Sequence, residues 1–158
     1  MTDDAPSTPA TEALAASGLA HQVTRHPMVR SLAEAAAARG VDPAHIIKTM
    51  VVRRAADDYL FVLVSGDRTI SWPKLRTLLG VNRLSMPDAQ TAKEVTGYER
   101  GTITPFGATH PWPVVADERI RGGRVSIGAG AHGVAATLAG DALLEHLRAQ
   151  VADVTDPA

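Results

Sequence analysis

Apolar positions along the chain change their spacing several times, and each change marks an element. Residues 48–54 and 59–65 are dense in Val, Leu and Phe, with Ala55-Ala56-Asp57-Asp58 between them. This reads as an antiparallel β pair joined by a turn. Further strands are expected at 114–117, 124–127 and 134–138, with short ones at 20–25, near Arg83 and at 151–154. Helices announce themselves by their ends. Thr8 before Pro9 begins one that Gly18 stops, and Ser31-Leu32-Ala33-Glu34 begins an alanine-rich one that ends at Gly40. Asp42-Pro43 opens one more helical turn. Ser71 caps a helix to Leu79 closed by Gly80, another spans about 87–96 before Gly97, and Asp141 caps a last one to about Arg148.

Strands and helices are interspersed without the regular βαβ alternation of a doubly wound fold. The expectation is therefore a single α/β domain over residues 8–158: a mixed, barrel-like sheet flanked by helices. Residues 1–7 read as a frayed tail.

Composition narrows the class. The 158 residues are 45% hydrophobic and 21% charged with a net charge of −1, as in a soluble globular domain. With two Trp, two Tyr and two Phe, the core must be built mainly of Ala, Val, Leu and Ile. Cysteine is absent, which removes disulfides, thiolate nucleophiles and Cys-type zinc sites, and fits a cytoplasmic protein. The acidic start lacks signal-peptide order, and the apolar runs are too short to span a bilayer. The charge balance argues against a large duplex-binding surface and against DNA, but allows a small basic patch meeting a few phosphates.

Two stretches carry candidate chemistry. Residues 97–107 hold three glycines and a proline, a loop able to bring bare N–H groups close to a ligand or simply to connect elements at the surface. Lys48 lies in Ile46-Ile47-Lys48-Thr49-Met50-Val51-Val52, where alternation places it with Ile46, Met50 and Val52. It reads either as a strand-end lysine reaching water or as a cation at the mouth of a pocket. Gly128-Ala129-Gly130-Ala131-His132-Gly133 matches G-x-G-x-x-G literally, but too little chain follows for a dinucleotide fold, so a glycine-rich bend in the sheet is expected. The six histidines show no short-spaced pair, so neither a metal site nor a cofactor is expected. His26 and His132 are candidates to line a pocket. Arg53-Arg54, Lys74 with Arg76, and Arg119, Arg121 and Arg124 are candidate phosphate contacts or a solvated face.

Taken in order, Ile-Ile-Lys48-Thr-Met-Val-Val, Gly97-Tyr-x-x-Gly101-x-x-x-Pro105-Phe-Gly107 and the turn to Gly133 resemble the YbaK-type aminoacyl-tRNA deacylases. These are free-standing relatives of the editing domain of bacterial prolyl-tRNA synthetase, and the similarity runs over about residues 26–154. The resemblance implies hydrolysis of the ester joining a wrong, small amino acid to the 3′ end of a tRNA. It implies a catalytic role for Lys48 and Gly101, with the loop from Gly101 to Pro105 positioning the ester. His26, Thr49, Thr102, Ile103, Thr104, Pro105, Phe106, Gly128, Gly130 and His132 are the expected substrate-binding set. The implied partner is mischarged tRNA, with prolyl-tRNA synthetase or another synthetase as a further candidate. A non-catalytic small-ligand or tRNA-end binding module is the alternative. Some cysteine-clearing members carry an acid where this chain has Ala135, which leaves the amino acid open.

Overall fold

A computed structural model of the chain describes residues 7–158. The expected tail therefore falls, but for Ser7, outside the described residues. Helix α1 (Pro9–Ser17) starts as its sequence directs: the Thr8 hydroxyl accepts from the Thr11 N–H, the Thr11 side chain returns to the Thr8 backbone, and Gly18 ends the helix in the left-handed region. Strand β1 (Gln22–Arg25) leads to α2 (Leu32–Arg39), capped by Ser31 and closed by Gly40. A single 3-10 turn at Pro43–His45 then enters β2 (Ile46–Ala55).

The β pair forms as read, with β2 antiparallel to β3 (Asp58–Ser65). Its two-residue turn needs a left-handed residue, and Asp57 supplies it at φ 56°. Then come β4 (Arg68–Ile70), α3 (Trp72–Leu79), α4 (Ala89–Thr96), β5 (Val114–Asp117), β6 (Arg124–Gly128) and β7 (Val134–Ala139). The chain finishes with α5 (Gly140–His146), β8 (Gln150–Ala152) and β9 (Thr155–Pro157).

Seven strands form one mixed sheet in the order β1-β7-β6-β2-β3-β5-β8, and β4 pairs with β9 separately. The β2–β6, β3–β5 and β5–β8 pairs are parallel and the others antiparallel. Alternation along β2 divides the core. Ile47 and Val51 pack with Phe61, Leu63, Tyr98 and Phe106 on one face, while Val52 packs with Leu60, Val62, Val64 and Leu75 on the other. Burial of these branched side chains on both faces supplies the main stabilisation, at ~25 cal/mol per Å² of apolar surface.

Three expectations are corrected. Near Arg83 there is no strand, only a bridge between Arg53 and Ser85, because Pro87 follows too closely for a ladder to grow. The terminal segment is two short strands rather than one over 151–154. Asp141 is not an N-cap: β7 runs directly into α5, Ala139 occupies the cap position, and the Asp141 carboxylate accepts the Gly122 N–H at 3.1 Å. The G-x-G-x-x-G segment is the connection between antiparallel β6 and β7, as a bend and not as a phosphate-binding helix start.

Candidate active site

Strand β2 touches β6 only at Ile46 and Ile47, and farther along the two strands part. Arg53 closes the far end by exchanging both backbone bonds with Ser85, at 2.7 and 3.1 Å. Backbone groups of alternate residues point to the same edge, so Thr49 and Val51 turn their N–H and C=O into the opening between. Neither has a ladder partner there. The Thr49 hydroxyl is likewise buried without a hydrogen-bond partner.

This opening is a cavity of about 310 Å³. Its walls are Ile46 to Val51 of β2, Met86 and Pro87, Ala92 of α4, Arg100, Gly101 and Ile103 of the glycine loop, Gly128 of β6 and Arg39 of α2. Lys48 and Gly101 therefore border one space, although they come from opposite faces of the sheet. Lys48 stands on the face of Met50 and Val52, and the loop packs on the face of Ile47 and Val51. The gap between β2 and β6 is what lets the two meet.

The loop holds its shape from within. Tyr98 is buried, and its hydroxyl donates to the Phe106 carbonyl at 2.6 Å. Burial pushes its ionisation up to about 12. The Thr102 hydroxyl and N–H both bond the Glu99 carbonyl, at 2.7 and 2.9 Å, and Thr104 accepts from the Phe106 N–H. The N–H groups of Gly101 and Ile103 have no protein acceptor among the described residues. Preorganised donors of this kind suit a developing oxyanion. Gly101 sits at φ 92° with the His132 ring beside it.

Among the described residues, three cations line the cavity, Arg39, Lys48 and Arg100, and no carboxylate does. The Lys48 ammonium donates to the Arg68 carbonyl at 2.8 Å, which fixes where its charge stands. Arg39 is half-buried, and desolvation lowers its pKa from the usual guanidinium range.

Of the residues expected from sequence, Lys48, Thr49, Gly101, Ile103 and Gly128 meet at the cavity. His26 stands behind it, accepting from the Arg39 Nε at 3.2 Å. Pro105 is not among the lining residues, and Thr102, Thr104 and Phe106 are buried in the loop's own packing. Gly130 faces Tyr98 and Thr8, and the exposed His132 lies against Gly101. Arg39, Arg100 and the Met86-Pro87 wall were not expected from sequence. Arg39 is separated from Lys48 by a helix end and a turn, and no local pattern singles it out. Ala135 is buried and lies opposite Gly128 in the β6–β7 ladder, so a methyl stands beside that wall of the cavity.

Residues 26–146 match the family described as the aminoacyl-tRNA editing domain. Among curated proteins, the proline–tRNA ligase of Caldicellulosiruptor bescii is 33% identical over 95 residues, 60% of this chain and 16% of that enzyme. The proline–tRNA ligase of Heliobacterium modesticaldum is 40% identical over 80 residues, 51% of this chain and 14% of the enzyme. The chain thus corresponds to about a sixth of the length of these relatives. A crystal structure described as a candidate trans-editing enzyme for prolyl-tRNA synthetase superposes with a TM-score of 0.86 at 27% identity, covering 96% of this chain and 99% of the other. That of a hypothetical protein, APE2540, gives 0.84 at 27% identity, covering 94% and 100%.

Proposed function

Since the chain belongs to the aminoacyl-tRNA editing domain family, we propose that it is a trans-editing deacylase that hydrolyses the ester of a mischarged tRNA carrying a small amino acid. The observation that carries this reading is the shared cavity: Gly101 and Ile103, whose N–H groups have no protein acceptor among the described residues, border a space that Lys48 borders too.

Ester hydrolysis places negative charge on the former carbonyl oxygen. The loop N–H groups supply donors for that oxygen, and the surrounding cations add positive potential in a partly desolvated space. Lys48 holds the terminal ribose, which sets the ester against the loop. Water is the nucleophile, since neither a carboxylate nor a histidine lines the cavity among the described residues. The carbonyls of Thr49 and Val51, which have no ladder partner on that side, are available to orient that water or the amino group of the substrate.

The apolar wall of Ile47, Met50, Met86 and Ile103 and the small volume favour a small side chain. Pocket fit alone separates neighbours by ~1–3 kcal/mol per methylene, so discrimination among alanine, serine, cysteine and threonine is expected to be graded. The test is a panel of alanyl-, cysteinyl-, seryl- and threonyl-tRNA incubated with the protein. Release of at least one amino acid supports the proposal, and a fully charged panel contradicts it. Ligand-induced thermal stabilisation without turnover would instead favour a binding module.

A further inference from the structure

Arg39 poses a problem that the loop and Lys48 do not solve. It ends α2, yet the helix does not need it. Its end is closed by the backbone, with Gly40 N–H donating to Ala37 and Val41 N–H to Ala36. Its side chain is half-buried, and no carboxylate pairs with it among the described residues. A guanidinium drawn out of water without a counter-charge is costly, so such a group is normally completed by an anion.

The guanidinium is also aimed. Its Nε donates to the His26 Nε2 at 3.2 Å, so that nitrogen is the acceptor. The ring proton then sits on Nδ1 and donates to the Pro27 carbonyl at 2.9 Å. His26 is in turn fixed by its backbone, whose N–H donates to the Gly133 carbonyl at 2.8 Å. With Nε committed, the terminal nitrogens of Arg39 are left to make a two-pronged contact.

Their position is a boundary. Arg39 lines the β2–β6 cavity and also a groove of about 700 Å³ beneath α2. Arg124, His45 and Gln22 line that groove, with Asp42 as its one carboxylate among the described residues. Thr137 lines it too, 4% exposed, with a buried hydroxyl that has no partner.

We propose that Arg39, steered by His26, is a phosphate-binding residue that seats the 5′-phosphate of a terminal adenosine where the cavity meets the groove. The inference rests on the tRNA-end reading for the identity of the nucleotide. Its geometry makes Arg39 the fork that holds the nucleotide while Lys48 faces the ester. The groove offers the path by which the preceding chain leaves.

The test compares 5′-AMP with adenosine by titration calorimetry on the whole chain, each variant first checked for folding by circular dichroism. Wild type is expected to bind AMP ~10-fold more tightly than adenosine, the scale of one charge-assisted fork. Arg39→Gln is expected to remove that preference, so that AMP and adenosine bind it alike. Should Arg39→Gln not fold, Arg39→Lys carries the test. It keeps a charge but loses the fork and the His26 contact, and is expected to lower the preference at least ~3-fold. Equal affinity for both ligands in wild type, no measurable AMP binding, or a preference that persists in the variant overturns the inference. Loss of the preference in Lys48→Ala with none in Arg39→Gln would also overturn it. None of these readouts involves turnover, so a failed deacylation panel with an intact AMP preference would count against the hydrolase reading alone.

Discussion

The Lys48 ammonium donates to the main-chain carbonyl of Arg68, 2.8 Å away on the short strand β4. That carbonyl is held by a relay. The Arg68 guanidinium donates to the Thr155 hydroxyl at 2.7 Å and to its carbonyl at 3.2 Å. The Thr155 hydroxyl donates to Asp117 at 2.9 Å, and Asp117 is fully buried. The position of the cation thus depends on residues more than 60 positions away in the chain.

Thr155→Val tests the relay. It deletes one hydroxyl, leaves a buried carboxylate one donor short, and frees the Arg68 guanidinium at the same point. A loss of about 1–3 kcal/mol in unfolding free energy is expected, measurable by denaturant titration. Deacylation is expected to fall more than stability alone accounts for, because the folded protein would hold Lys48 less well. Unchanged activity per folded molecule would disconnect the relay from the site.

Gly101→Ala tests the loop. Gly101 is at φ 92°, a region that costs an alanine about 1–2 kcal/mol, and the added methyl would stand 3.3 Å from the His132 Cε1. The loop is pinned elsewhere by Tyr98 and Thr102, so the fold is expected to survive while the free N–H groups shift. The expected outcome is a modest drop in melting temperature and a drop in kcat of one to two orders of magnitude, roughly the weight of one misplaced oxyanion donor. A variant with wild-type kcat would remove the loop from the mechanism.

The surface cluster of Lys74, Arg119, Asp153 and Asp156 gives the acid limb of stability a signature. Hydrogen bonds from Arg119 and Lys74 hold the Asp153 carboxyl at about 2, below its ordinary 3.8. A depressed carboxylate stabilises the fold above its unfolded value, and that contribution is lost as pH falls through the folded value. The loss therefore lies between about pH 4 and pH 2. Asp153→Asn is expected to flatten the fall of melting temperature in that window and to leave its shape above pH 5 unchanged. Salt should shrink the difference, since the group is exposed.

Much of this architecture is legible in the chain. Thr8, Ser31 and Ser71 each cap a helix by accepting a backbone N–H, and Gly18, Gly40 and Gly80 each end the helix that follows, because both signals are local. The β2–β3 pair is equally plain, being two apolar runs around a short polar turn. What escapes is whatever depends on distant partners. Strands β4 and β9 have three residues each, and Pro157 even argues against the second, yet an edge position tolerates it. Asp141 looks like a cap until β7 is seen to run straight into α5. Arg39 looks like an ordinary last-turn cation until His26, thirteen residues earlier, is found beside it. Lys48 and the Gly101 loop could be singled out separately, but only the parting of β2 from β6 shows how residues from two faces share one space.

Release of a small amino acid from mischarged tRNA, measured for wild type and Lys48→Ala side by side with folding verified for both, tests the proposed site at its centre. The proposed role of Lys48 predicts release by wild type and a loss of at least ~100-fold in the variant, the scale set by a preorganised charge at the reacting centre. Equal rates in the two proteins, or none in wild type, would contradict it.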